Sequence, residues 1–167
     1  MDPAQVWKAP PYKNSVQAPL TDELLDETER ELGVRLPVSL VTLLRVQNGG
    51  HLEVGFPDDH NFDTTHDIIR GVGTMYPCLE KDAWWHDPDW GPPRVDEAEW
   101  LVPFDGDGHW DLCLDYRRSP TGPDGLRADP TVAVIDTEAR EPDIESFVAG
   151  SFDAYLAQLV PRSGKWQ

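Results

Sequence analysis

The chain has 167 residues, a length that suits one domain and lets folding bury about 70% of the unfolded chain's surface. Thirty-one acidic residues against 14 basic ones leave a net charge of −17, which repels phosphate backbones and anionic bilayers and argues against nucleic-acid and membrane partners. A hydrophobic share of 39% and seven tryptophans exceed what an acidic disordered tail carries, so a folded acidic domain is expected.

Residues 1–19 carry Pro3, Pro10, Pro11 and Pro19 without a hydrophobic period. They predict an extended Pro-rich N-terminal arm, pinned by Trp7, ahead of a domain over 20–160 and a C-terminal tail over 161–167. Thr21 is placed to cap a helix with Asp22 and Glu23 in its first turn, an apolar stripe through Leu24, Leu25 and Leu32, and Gly33 as its stop. A second helix is predicted with Pro37 in its first turn; Leu40, Leu43, Leu44 and Gln47 keep the spacing until Asn48-Gly49-Gly50 ends it.

Alternating Leu52, Val54 and Phe56 predict a strand over 51–56. The period is lost over 58–93, where a helical piece over 67–76 or 80–85 is the only regular element expected. Trp100, Val102 and Phe104, the turn 105–108, then Trp110, Leu112, Leu114 and Tyr116 form a hairpin pattern. After a Pro/Gly-rich loop, the unbroken apolar run 131–135 suits a central strand buried on both faces. Ser151 caps a closing helix with Phe152, Tyr155, Leu156 and Leu159 on one stripe before Pro161. Two helices, a run of strands and a last helix make an α+β single domain, with a mostly antiparallel or mixed sheet flanked by helices.

Several catalytic patterns are incomplete. His51-Leu52-Glu53 with Pro77-Cys78 is half of a zinc deaminase signature, but Lys81 stands where the second cysteine is required. The cluster Asp58, Asp59, His60, Asp63, His66, Asp67 lacks a metal-binding histidine spacing and reads as a solvated acidic loop. Counted from Asp105 as a calcium loop, the sixth and twelfth places hold Trp110 and Tyr116 in place of Gly and Glu, so a hairpin turn is the better reading. Neither Cys78 nor Cys113 sits in an electropositive setting, and two cysteines do not make a disulfide scaffold, so both are expected as free thiols. Trp84-Trp85-His86-Asp87-Pro88-Asp89-Trp90 differs in kind. Three indoles among carboxylates either pack over the core or recognise a basic protein surface.

The run 29–50, with Glu31-Leu32-Gly33, Leu36-Pro37-Val38-Ser39-Leu40 and Asn48-Gly49-Gly50, resembles the opening of the SUKH superfamily, bacterial relatives of the fungal Smi/Knr cell-wall synthesis regulators. Leu101-Val102-Pro103-Phe104, leading through Asp107-Gly108-His109 into Leu112-Cys113-Leu114-Asp115-Tyr116-Arg117, is similar to that family's central hairpin. Gly150-Ser151-Phe152-Asp153-Ala154-Tyr155-Leu156 is similar to its closing helix. The resemblance implies an α+β fold and a protein-binding role, much of the superfamily serving as immunity proteins that block toxins of contact-dependent competition, nucleases and deaminases among them.

With no apolar stretch long enough for a membrane span and no secretory signal at its start, the chain is expected to be cytoplasmic. The leading expectation is a non-enzymatic immunity protein, without cofactor or metal, that binds and neutralises a cognate, basic, nuclease-like toxin as a monomer or weak homodimer. The alternative is a regulatory or scaffold protein of cell-wall synthesis or signalling with an endogenous partner. The partner-binding residues expected are Trp84, Trp85, Asp87, Asp89 and Trp90, with Asp105, Asp107, His109 and Asp111 as a second patch; an enzyme or metal-dependent reading would rest on that second patch.

Overall fold

A computed structural model describes residues 2–57, 67–81, 95–106, 108–140 and 142–162. Helix α1 (Asp22–Leu32) starts where the Leu24 amide donates to the Thr21 hydroxyl at 3.2 Å, with Asp22 and Glu23 at the positive end of the helix dipole. Gly33 ends it at φ 72°, a left-handed conformation that glycine adopts at no steric cost. Helix α2 (Val38–Val46) follows with Pro37 as its N-cap, one position earlier than the sequence suggests. The elbow between them is fastened from inside. Buried Glu29 pairs with Arg35 and accepts the Leu36 amide at 2.8 Å, while the Tyr116 hydroxyl donates to the Arg35 carbonyl at 2.8 Å.

Four strands, β4 (Leu101–Gly106), β5 (Trp110–Asp115), β6 (Thr131–Asp136) and β7 (Glu145–Ala149), form an antiparallel sheet in that spatial order. One face carries Val102, Phe104, Leu112, Leu114, Val132 and Val134 against the leucines of α1 and α2. Helix α3 (Phe152–Leu156) adds Phe152 and Tyr155, whose rings stand edge-on to Phe104 at 5.6 and 5.2 Å. The other face carries Leu101, Cys113 and Ile135 under Val95, Ala98 and Ile144. The hairpin strands are therefore covered on both faces over much of their length, although their sequence alternates as if one side were wet.

The predicted strand over 51–56 is two short pieces. Strand β1 (Gly50–His51) pairs with β3 (Ile68–Ile69), and β2 (Val54–Gly55) pairs with β8 (Val160–Pro161). Between them Leu52 bridges Trp7, and the Glu53 amide donates to the Val6 carbonyl at 2.8 Å, so the chain changes partner twice in six residues. The stretch 67–76 is strand and bends instead of the helical piece considered for it. The N-terminal arm contains two 3-10 turns, Pro3–Gln5 and Lys13–Ser15, and places Val6 beside Trp7 in the core. Strand β7 was not expected, and α3 stops at Leu156, leaving Leu159 buried beyond the helix. The domain is α+β, with antiparallel strand pairing and the helices gathered on one face of the main sheet.

Candidate functional site

The sequence-predicted patches fare differently in three dimensions. Trp84, Trp85, Asp87, Asp89, Trp90 and Asp107 lie outside the described residues. Asp105 and Asp111, expected at an exposed partner-binding turn, are 3% and 0% exposed. The Asp105 carboxylate accepts the amides of Asp67 at 2.9 Å and Ile68 at 3.3 Å, and its other oxygen accepts the Gly106 amide at 2.7 Å. Asp111 pairs at 3.3 Å with Arg70, itself 5% exposed, which also donates to the Gly106 carbonyl at 3.1 Å. These two carboxylates are buried and fasten the segment 67–70 to the hairpin turn. Of the described members of that patch only His109 presents its side chain at the surface, 61% exposed, with Nδ1 2.8 Å from Glu138.

Nucleophilic chemistry finds no support at either thiol. Burial, reinforced by Asp111, pushes the Cys113 thiol well up, and burial followed by Glu80 pushes Cys78 up, the reverse of an activated cysteine. Among the described residues no three His, Cys, Asp or Glu side chains converge on a metal position. Asp67, the one described member of the predicted acidic cluster, pairs with Arg162 at 2.9 Å.

The surface feature that stands out is on the outer side of the sheet, where the cover from Val95 and Ile144 stops. A depression of about 610 Å³ lies over the ends of β5, β6 and β7. Asp96, Glu97, Asp115, Asp129 and Glu145 line it together with Arg117 and Arg118, so five carboxylates against two guanidiniums leave it net negative by three charges. Arg117 is held between two carboxylates: it donates to Asp115 at 3.0 and 2.8 Å and to Glu145 at 3.1 and 2.7 Å. The Asp115 bonds, then those to Glu145, raise the guanidinium above its ordinary pKa, so Arg117 stays charged between its two partners. Beside it Phe147 stands on β7 with 71% of its surface exposed, although Val148 next to it is buried. A large aromatic side chain left in water among carboxylates combines an apolar anchor with a negatively charged surround.

Sequence reasoning missed Glu145 and Phe147 because the run 144–148 shows no clean two-residue alternation. Its one signal was a short apolar and aromatic stretch bounded by Pro142 and Gly150.

The model of the SMI1 / KNR4 family (SUKH-1) matches residues 19–158, which include both helices of the elbow, the hairpin and β7. The chain belongs to the SMI1 / KNR4 family. No curated protein matches the chain. The family match contains every residue of the acidic depression and begins after Val6 and Trp7, which this SMI1 / KNR4 chain nevertheless places in its core. Among the described residues of this family member, no helix is long and apolar enough to cross a membrane.

Proposed function

We propose that the protein is a non-enzymatic immunity protein that binds a cognate bacterial toxin with a basic surface and blocks it. The observation that carries this reading is the net-negative depression beside exposed Phe147, in a chain whose total charge is −17. A toxin acting on nucleic acid needs a basic surface to meet phosphates, and an acidic inhibitor is steered to that surface before contact. Hydrogen bonds from Arg117 already hold the Asp115 and Glu145 side chains in place, which favours a low ordering cost of binding. The tryptophan segment with Asp87 and Asp89 is proposed, from its sequence alone, as a second partner-binding stretch.

The test is capture of tagged protein from its native host at low and then high salt, with mass spectrometry of stoichiometric partners. A basic toxin domain released by salt, whose lethality is suppressed by co-expression, is the expected result. Recovery of only envelope-synthesis or signalling proteins would replace immunity with a regulatory or scaffold role. With the partner in hand, Asp96→Lys combined with Phe147→Ala should slow association about tenfold at low salt while leaving the melting temperature nearly unchanged.

A further inference from the structure

The main sheet ends differently at its two sides. Along β4 the chain already occupies the edge: the Arg70 amide donates to the Phe104 carbonyl at 2.8 Å, and Asp105 takes the amides of Asp67 and Ile68. At the other side the strand order stops at β7, and among the described residues no strand pairs with its outer edge.

The phase of β7 follows from its partner. The Asp136 amide donates to the Ile144 carbonyl at 2.8 Å, and Val134 stands opposite Ser146. Bonded and non-bonded positions alternate in an antiparallel pair. Ile144 and Ser146 therefore bond toward β6, and the amides and carbonyls of Glu145 and Phe147 point to the open edge. Val148 is skipped in the register between Ala149 and Phe147, and its carbonyl is taken by the Gln158 side chain at 3.0 Å, which marks where the open stretch ends. Edges that must stay unpaired are blunted by lysine, proline or a covering element. The strand Glu145–Ala149 contains neither lysine nor proline and exposes Phe147.

We infer that the β7 edge receives an extended basic segment of a partner protein by strand addition, its main chain bonding Glu145 and Phe147 and its alternate side chains lying beside Phe147 over the acidic depression. The inference rests on the protein-binding reading above and adds the mode of binding. Main-chain bonds supply the attachment, and the two-residue repeat of a strand delivers every second side chain to the outer face. Charge selects the occupant. A basic segment meets a surface net negative by three, whereas a second copy would bring its own Glu145 and a further −17 to the same edge.

The probe is a synthetic heptapeptide with arginine at alternate positions and threonine or valine between, titrated into the full chain at low salt. Two further versions carry N-methyl groups on every second amide, one in each phase, and have the same charge as the parent. The parent is expected to bind and to slow hydrogen exchange at the Glu145 and Phe147 amides, and one N-methylated phase should bind about tenfold more weakly than the other, as loss of one or two net hydrogen bonds predicts. Phe147→Pro, which removes an edge amide, should lose more affinity than Phe147→Ala; if the proline variant does not fold, the N-methylated peptides on the native chain still decide. Equal binding by all three peptides overturns strand addition and leaves recognition of the charged face standing. Absence of peptide binding, or concentration-dependent self-association that protects the same two amides, overturns the inference as well, and capture of a toxin then decides the immunity reading separately.

Discussion

Between β4 and β7 the inward backbone groups are satisfied strand against strand, whereas in residues 48–50 and 67–79 much of the backbone is satisfied by side chains. The Asn48 amide donates to the carbonyls of Ala18 at 2.6 Å and Val72 at 2.8 Å, and its oxygen accepts the Val72 amide at 2.8 Å. The Gln17 oxygen accepts the Met75 amide at 3.2 Å while its nitrogen donates to the carbonyls of Met75 and Pro77. The backbones come so close that a Cβ on Gly71 would lie 2.4 Å from the Asn48 carbonyl oxygen. A ladder shares its bonds over many residues, so one substitution removes packing volume and little else. The pinned segment hangs on single side chains, and each is a separate point of failure.

The largest effect expected from this contrast is at Arg70. Arg70→Ala removes the guanidinium from Asp111, which is 0% exposed, and should destabilise the fold by about 3–5 kcal/mol in urea unfolding. Replacing both partners by apolar residues, Arg70→Met with Asp111→Leu, should recover most of that loss, because the penalty comes from the charge left behind. If Arg70→Ala costs no more than a surface substitution, the pinned segment is not held as described. Leu114→Ala, in the sheet, should cost about 2–5 kcal/mol through its cavity and leave the exchange pattern of 70–79 unchanged.

Asn48→Ala comes next, at about 2–3 kcal/mol for three lost bonds at a 3% exposed site. Its signature is regional. Hydrogen exchange at Val72 and Met75 should accelerate well before that of β5 and β6. Uniform acceleration across the sheet would show that the two regions open as one and would dissolve the contrast.

The same contrast decides what could be read in the sequence. Elements made by neighbours along the chain were legible: Thr21 as cap, Gly33 as stop, the hairpin around Gly106, and the central strand 131–135. Elements made by distant partners were not. Asp105 and Asp111 read as a solvated acidic turn because Asp67, Ile68 and Arg70, which bury them, are about 40 residues away in sequence. The strand 51–56 alternates well and still divides, since its partners come from the arm, from Ile68–Ile69 and from Val160–Pro161. Of the candidate site, the acidic character was visible in the charge. Phe147 beside it was hidden, because the register shift at Val148 and a large aromatic on the wet face break the alternation that a half-buried strand would otherwise show.

The smallest predicted effect tests whether an exposed pin behaves like a buried one. Arg35 reaches from the elbow to Asp124 in the loop before β6 at 2.8 Å, with the two side chains 43% and 39% exposed. The hydrogen bond from Arg35, helped by the Leu126 amide, holds the Asp124 carboxyl below its ordinary pKa. A carboxyl depressed in the folded state adds stability that is fully present above its unfolded pKa, near 4, and is lost as pH falls through the folded value. Because the pair is solvated, that contribution is slight. Asp124→Asn should lower the melting temperature marginally at about pH 6, and the difference from the native chain should shrink as pH falls below about 4 and vanish once the folded carboxyl is itself protonated. A difference that persists unchanged in acid would mean that the Asp124 side chain acts through its shape and its bond to Leu126, and that charge between the elbow and this loop contributes nothing.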